Sequence, residues 1–382
     1  MKAKLLLILI LLFSPILKAL EVGAEQVQIY LPLIKDKRVA LVVNQSAQVK
    51  EQHLLDVLLE KRIDVKKVFS PEHGFRGKQD AGAKINDQID GKTGLPIISL
   101  YGKSKKPKLT DLADVDIIIF DIQDVGVRFY TYISTMHYVL EAAAEAGKKV
   151  IVLDRPNPNI NLIDGPVLEP EFQSFVGMHP IPVLHGMTVG ELAKMIVGEK
   201  WLGTDKKPNL TVISVADYDL SKPFDLPIKP SPNLPNRQSI ALYPSLCFFE
   251  ATPVSVGRGT DFPFQVFGHN KVKLGEFQFT PNSTPGAALN PKLKGENAFG
   301  QDLRSYPNQG FDLTWFVDAY DAFKAESIEF FKHPKFMDKL AGTDKLRKAI
   351  VSGKSLAEIE LSWQPALEQF KARRQPYLIY QR

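Results

Sequence analysis

The amino-acid sequence predicts an α/β protein: a doubly wound, mostly parallel sheet with a second, smaller α+β domain at the C-terminal end. Three observations lead there. From 38 to about 217, short β-branched runs alternate with helical patterns. Several of those runs are continuously apolar, as parallel strands buried on both faces must be. Beyond 217 the texture changes to segments rich in proline, glycine, asparagine and phenylalanine. A chain of 382 residues also exceeds what one hydrophobic core usually holds, so two domains are expected, over 25–234 and 235–382.

The elements follow in chain order. Lys2 and Lys4 precede an apolar run from Leu5 to Phe13, Pro15 interrupts it, and small residues stand at Ala19 and at Gly23-Ala24. That layout reads as a secretory signal peptide over 1–24, cut after Ala19 or after Ala24. The run is shorter than the ~20 residues a spanning helix needs, so export without stable membrane insertion after cleavage is expected. The destination would be periplasmic or extracellular.

Strands are predicted over 39–43, 65–69, 97–100, 116–120, 149–153 and 211–215. Between them, 52–62 carries Leu54, Leu55, Leu58 and Leu59 on one helical face, and 132–146 forms a helix stopped by Gly147. A third helix runs from Thr188 to about 200, with Thr188 and Glu191 spaced as a capping box. Strand–helix alternation of this kind means a doubly wound sheet. The prolines of 222–236 favour an extended crossing segment, 241–310 reads as irregular or short-stranded, and helices return at 313–325 and in the final sixty residues.

Composition narrows the function. Lys and Arg number 48 against 43 Asp and Glu, a net charge of +5, and the lysines are scattered, which argues against nucleic acid. Cys247 is the sole cysteine and sits in an apolar run, so it reads as packing. The first strand–helix turn has no glycine triplet, which removes both a dinucleotide fingerprint and a phosphate loop, and no cofactor is expected. No Gly-x-Ser-x-Gly elbow is present either.

In open parallel sheets ligands bind outside the carboxyl ends of the strands. There the sequence places Asn44-Gln45-Ser46, the loop from Ser70 to Gly77, Tyr101-Gly102, the segment from Asp121 to Arg128, and Asp154-Arg155-Pro156-Asn157. Polar residues from distant segments gather at one edge. Glu72 is the candidate general acid there, or else it pairs with Arg76 or caps a backbone turn. Asp121 and Asp124 are candidates for the second carboxylate of a glycosidase, or loop caps. Arg76, Arg128, Arg155 and Arg258 suit an anionic substrate, and Tyr130 and Tyr132 offer a sugar-stacking face or core packing. His73 and His185 lack metal-ligand spacing, so no metal site is expected.

The segments SPEHGFRG (70–77), TGLPIISLYG (93–102), DIIIFDIQDVGVRFYTYISTM (116–136), LDRPNP (153–158), HGMTVGELA (185–193), PSPNLP (230–235) and SVGRGTDFPF (255–264) resemble the NamZ-type exo-β-N-acetylmuramidases. The resemblance implies a Rossmann-like N-terminal domain, a smaller C-terminal domain and a cleft between them. It further implies release of N-acetylmuramic acid from the non-reducing ends of peptidoglycan fragments, with Glu72 at the position of the family's catalytic glutamate. Asn44, His73, Arg76, Gln123, Asp124, Arg128, Tyr130, Arg155, His185 and Arg258 are the remaining site candidates. Ile228 and Gly268-His269-Asn270 depart from the family's usual residues. The lactyl carboxylate of N-acetylmuramic acid would account for a cleft rich in arginine. The rival readings are a non-catalytic peptidoglycan-binding protein and a metal-dependent hydrolase of another cell-wall bond.

Overall fold

The computed structural model describes residues 20–72, 74–75, 88–102, 104–307 and 310–382. Residues 1–19, most of the expected leader, and the candidates His73 and Arg76 lie outside the described residues.

The predicted runs become the strands β1 (Arg38–Val43), β4 (Asp64–Ser70), β6 (Pro96–Ser99), β7 (Ile117–Asp121), β8 (Lys149–Leu153) and β9 (Asn209–Ile213). Three shorter strands were not legible: β2 (Gln48–Val49), β3 (Gln52–His53) and β5 (Gln88–Ile89). The main sheet has the order β5-β6-β4-β1-β7-β8-β9. Every pairing is parallel except that of β5 with β6. The chain winds outward from β1 to β6, returns to β7 and winds outward the other way, so the order reverses between β1 and β7.

The apolar runs divide by parity, as side chains of period two must. Val39, Leu41, Val43, Ile117, Ile119, Ile151 and Leu153 face a core closed by α1 (Val27–Ile34) and α2 (Leu54–Glu60). Ala40, Val42, Ile118, Phe120, Val150 and Val152 face the opposite core, under α3 (Tyr132–Ala146) and α4 (Val189–Gly198). Gly147, at φ 66°, ends α3 in the left-handed conformation that glycine adopts without strain. Thr188 and Glu191 form the capping box of α4. The helix expected over 52–62 starts later, because β3 pairs with β2 and His53 Nδ1 then accepts from the amide of Leu55 at 3.2 Å. Pro32 inside α1 had hidden that helix from the sequence.

The C-terminal part opens with α5 (Arg237–Leu246). A three-stranded antiparallel sheet follows, in the order β10 (Val266–His269), β12 (Ala298–Asp302), β11 (Phe277–Phe279). Helices α6 (Thr314–Ala325), α7 (Pro334–Ala341), α8 (Lys345–Val351) and α9 (Leu356–Arg374) complete it. Its apolar residues, among them Phe248, Phe316, Leu340 and Trp363, continue the core that begins under α3 and α4. No helix of the described residues is long and apolar enough to cross a membrane.

Candidate functional site

All the polar loops named from the sequence leave the sheet at its carboxyl edge, and two cavities open there. One, of about 270 Å³, lies at the switch point. Ser46, Gln123 and Arg155 line its sheet side, and Phe224, Asp225 and Ile228 of the proline-rich strap roof it. The other, of about 80 Å³, lies at the end of β4, where Glu72, Tyr130 and Tyr132 meet Asn233 of the strap and Arg258.

Glu72 is the only carboxylate lining this second pocket among the described residues. The Thr131 hydroxyl donates to its Oε2 at 3.3 Å, and the Tyr132 hydroxyl donates to its backbone carbonyl at 3.4 Å. Tyr101, two residues past the end of β6, also hydrogen-bonds the Glu72 carboxyl. Burial first, then the charge of Glu72, pushes the Tyr101 phenol well above its ordinary pKa, so it remains a donor. The carboxyl is thus held in place from the ends of two strands and from the start of α3.

Aromatic side chains build the walls. Tyr130 and Tyr132 meet edge to face at 4.9 Å, and the Tyr130 hydroxyl donates to the Pro230 carbonyl at 2.9 Å, fastening the strap to the sheet edge. The Arg258 guanidinium lies 4.9 Å from the Phe264 ring centre, and its Nε is paired with Glu250 at 2.7 Å. It keeps a quarter of its side chain exposed, so it can still meet an anionic group of a ligand.

Of the sequence candidates, then, Glu72, Tyr130, Tyr132 and Arg258 come together in one pocket. The others among the described residues stand elsewhere, for physical reasons that local sequence does not carry. Asp121 is fully buried and holds Arg155 through two bonds of 2.5 and 2.9 Å, so both serve the interior, although Arg155 also reaches the switch-point cavity. Gln123 spends its amide on the carbonyls of Asp124 and Pro156, at 2.7 Å each. Asn44 is fully buried and accepts from the amide and hydroxyl of Ser46.

Asp124 is buried away from the pocket. Its Oδ2 accepts from the Gly126 amide at 2.7 Å and lies 3.7 Å from His185 Nε2. Burial pushes the Asp124 carboxyl up to about 7 and the His185 imidazole down to about 3, so the histidine stays neutral. Arg128 is likewise fully buried. It donates to the carbonyls of Pro166, Ile181 and Leu340 at 2.7 to 2.8 Å, which joins the sheet-edge loop to α7 and leaves it no face for a substrate. Asp121, Asp124, Arg128 and His185 thus lie buried outside the Glu72 pocket.

The sequence reading had not singled out Tyr101, Thr131, Ser231, Asn233 or Phe264 as site residues. Their signal was present in the motifs YG, FYTY, PSPNLP and DFPF, but nothing in a motif says which side chain faces the ligand. Among the described residues no group of three or more His, Cys, Asp or Glu side chains is placed to hold a metal ion.

Comparison with known proteins adds three findings. Family models match in two consecutive parts: exo-β-N-acetylmuramidase NamZ, N-terminal, over residues 39–238, and its C-terminal counterpart over 241–380. The peptidoglycan β-N-acetylmuramidase NamZ of Bacillus subtilis (strain 168) is 41% identical over 373 residues, spanning 92% of this chain and 89% of that protein. Crystal structures of two DUF1343 family proteins from Bacteroides fragilis NCTC 9343 share the fold, each covering 95% of this chain and 99% of the other. They superpose with TM-scores of 0.87 and 0.80, at 45% and 28% identity.

Proposed function

The chain belongs to the exo-β-N-acetylmuramidase NamZ family, and from that membership we propose that it is a glycoside hydrolase removing terminal β-linked N-acetylmuramic acid from the non-reducing ends of peptidoglycan fragments. The observation that carries the site assignment is Glu72: it is the one carboxylate of the aromatic pocket among the described residues, and Thr131 and Tyr101 hold it in place.

Glu72 donates its proton to the glycosidic oxygen as the bond from C1 to that oxygen breaks. Among the described residues no second carboxylate lines the pocket, and this favours the substrate's own 2-acetamido group as the stabiliser of C1. Its carbonyl oxygen bonds to C1 while the leaving sugar departs with the proton of Glu72. Water then adds at C1, reopens the ring and returns a proton to Glu72. Arg258, at the rim of the same pocket, suits the lactyl carboxylate.

Glu72→Gln tests the assignment. Release of chromophore from a β-N-acetylmuramide is expected to fall by about 10³-fold or more, while the variant still binds the sugar by calorimetry. A rate within tenfold of the wild type would overturn the role of Glu72.

The basic, apolar and small-residue pattern of the first twenty residues supports export, to the periplasm or the outside, where peptidoglycan is met. Of the two candidate cleavage sites, the position after Ala19 fits better. Glu21 exchanges backbone hydrogen bonds with Ala216, and the Gly23 amide donates to the Asp154 carbonyl at 2.8 Å, so cutting after Ala24 would remove part of the fold.

A further inference from the structure

Asn233 sits on the strap, in the wall of the Glu72 pocket, and is 2% exposed. Its two amide atoms have different fates. Nδ2 donates to the Ala287 carbonyl at 2.9 Å, whereas Oδ1 is buried with no hydrogen-bond partner among the described residues. The orientation is fixed, because turning the amide over would set its oxygen against the Ala287 carbonyl. The strap cannot easily relax either: Tyr130 and Gln45 both donate to the Pro230 carbonyl, and Leu234 donates to that of Ser231 at 3.1 Å.

A buried acceptor left without a donor is costly, and such groups are rare in folded chains. Asn233 lines the ligand pocket, and its buried Oδ1 is satisfied if a ligand seated there brings the donor. The pocket sets the apolar side chains of Leu234, Phe129 and Phe264 beside hydroxyls and the Glu72 carboxyl, so the donor should belong to a group that is polar on one side and apolar on the other.

The geometry points to Asn233 Oδ1 as the acceptor for the 2-acetamido N–H of the terminal sugar, with the acetyl methyl against Leu234 and Phe264. This rests on the muramidase reading of the same pocket and deepens it by assigning the residue that selects an N-acetylated sugar. The contact also strengthens along the reaction. As the acetamido oxygen bonds to C1, positive charge develops on the amide nitrogen, and its N–H becomes a better donor.

The test compares a nitrophenyl β-N-acetylmuramide with its congener in which oxygen replaces the amide N–H. This removes the donor and also weakens the carbonyl as a nucleophile, so the effect is read as the change in the amide-to-ester ratio between variant and wild type. The wild type is expected to prefer the amide, and in Asn233→Ala kcat/KM on the amide falls about 10- to 100-fold while the ester is little changed. The amide-to-ester ratio therefore drops by that factor. Thermal melting of Asn233→Ala beside the wild type separates this effect from loss of folding. An equal fall on both substrates in Asn233→Ala, or an unchanged ratio, would overturn the proposal. If the wild type releases nitrophenol from neither substrate, the muramidase reading itself fails and takes this assignment with it. Activity with an unchanged ratio, by contrast, removes only the assignment.

Discussion

At the scale of single residues, the deciding variable is burial, and a motif does not report it. Glu72 and Asp124 both follow strands in well-formed motifs, yet one lines a pocket and the other is shut in beside a neutral histidine. Sequence could place both at the carboxyl edge, because a residue after a parallel strand must be there. It could not say which side chain turns inward, since that depends on chain far away, such as Leu340, which receives Arg128. The burial of Asp124 has a measurable consequence. An unfolded aspartate ionises near pH ~3.9, and burial pushes the folded carboxyl up to about 7. Between those values the folded state holds a proton that the unfolded chain has released. The stability linked to Asp124 is therefore complete below pH ~4 and lost as pH rises through about 7. His185 runs the other way. With its folded value near 3, its contribution is present above pH ~6.5 and lost as pH falls. Asp124→Asn should accordingly melt with the wild type at pH 4 and about 2–5 °C above it at pH 8. Its turnover should stay within about tenfold, where loss of a true acid–base group costs about 10²–10⁴. A variant that folds but is inactive would restore Asp124 to the catalytic machinery.

At the scale of elements, the regular structure was legible wherever a local rule sufficed. Continuous β-branched runs gave six strands, Gly147 closed α3, and Thr188 with Glu191 opened α4, each from a signal within four residues of the boundary. Elements held by tertiary contact were not legible. Helix α1 contains Pro32, and the segment before it has no pattern of its own. Gly23 passes so close to the ends of β8 and β9 that an added Cβ would lie 2.5 Å from the Ile213 carbonyl oxygen and 2.6 Å from the Asp154 amide. Only glycine fits there, and backbone atoms cannot give way as a flexible side chain would. The segment read as the tail of a leader is thus also the first stitch of the sheet edge, since the Tyr30 hydroxyl donates to the Ala24 carbonyl and Gln26 Nε2 to that of Ser214. Two outcomes follow. Mass spectrometry of the exported protein should give Leu20 as the first residue, and a chain beginning at Glu25 would show the stitch to be dispensable. Gly23→Ala should lower the melting temperature, with a cost of about 1–3 kcal/mol from the forced backbone shift.

At the scale of the whole molecule, two domains by sequence behave as one body by packing. The core under α3 and α4 runs without a break into α5, α6, α7 and α9, and the strap that roofs the switch-point cavity also walls the pocket of Glu72. That roof explains why an order so common among dinucleotide-binding sheets serves another chemistry here. The crevice at the reversal is covered by Phe224, Asp225 and Ile228, and the ligand pocket opens one strand over, at the end of β4. The chain's last residues complete the integration. Tyr380 donates its hydroxyl to the buried Asp154 at 2.6 Å, the Ile379 amide donates to the buried Glu191 at 2.9 Å, and Arg382 pairs with Glu191 as well. Both carboxylates belong to the N-terminal half: Glu191 lies in the first turn of α4, and Asp154, just after β8, accepts from Thr188 and Gly190 at the start of that helix. Ending the chain after Tyr377 would strip each of a partner, and an uncompensated buried charge costs about 3–5 kcal/mol. If the halves share one cooperative core, that loss must appear in the melting of the entire chain, including aromatic signals from the C-terminal helices that touch neither carboxylate. The truncated protein is expected to give a single calorimetric transition displaced to lower temperature. A second transition, unmoved from the wild-type position, would show instead that the C-terminal domain holds together by itself and that the continuous core does not couple the two.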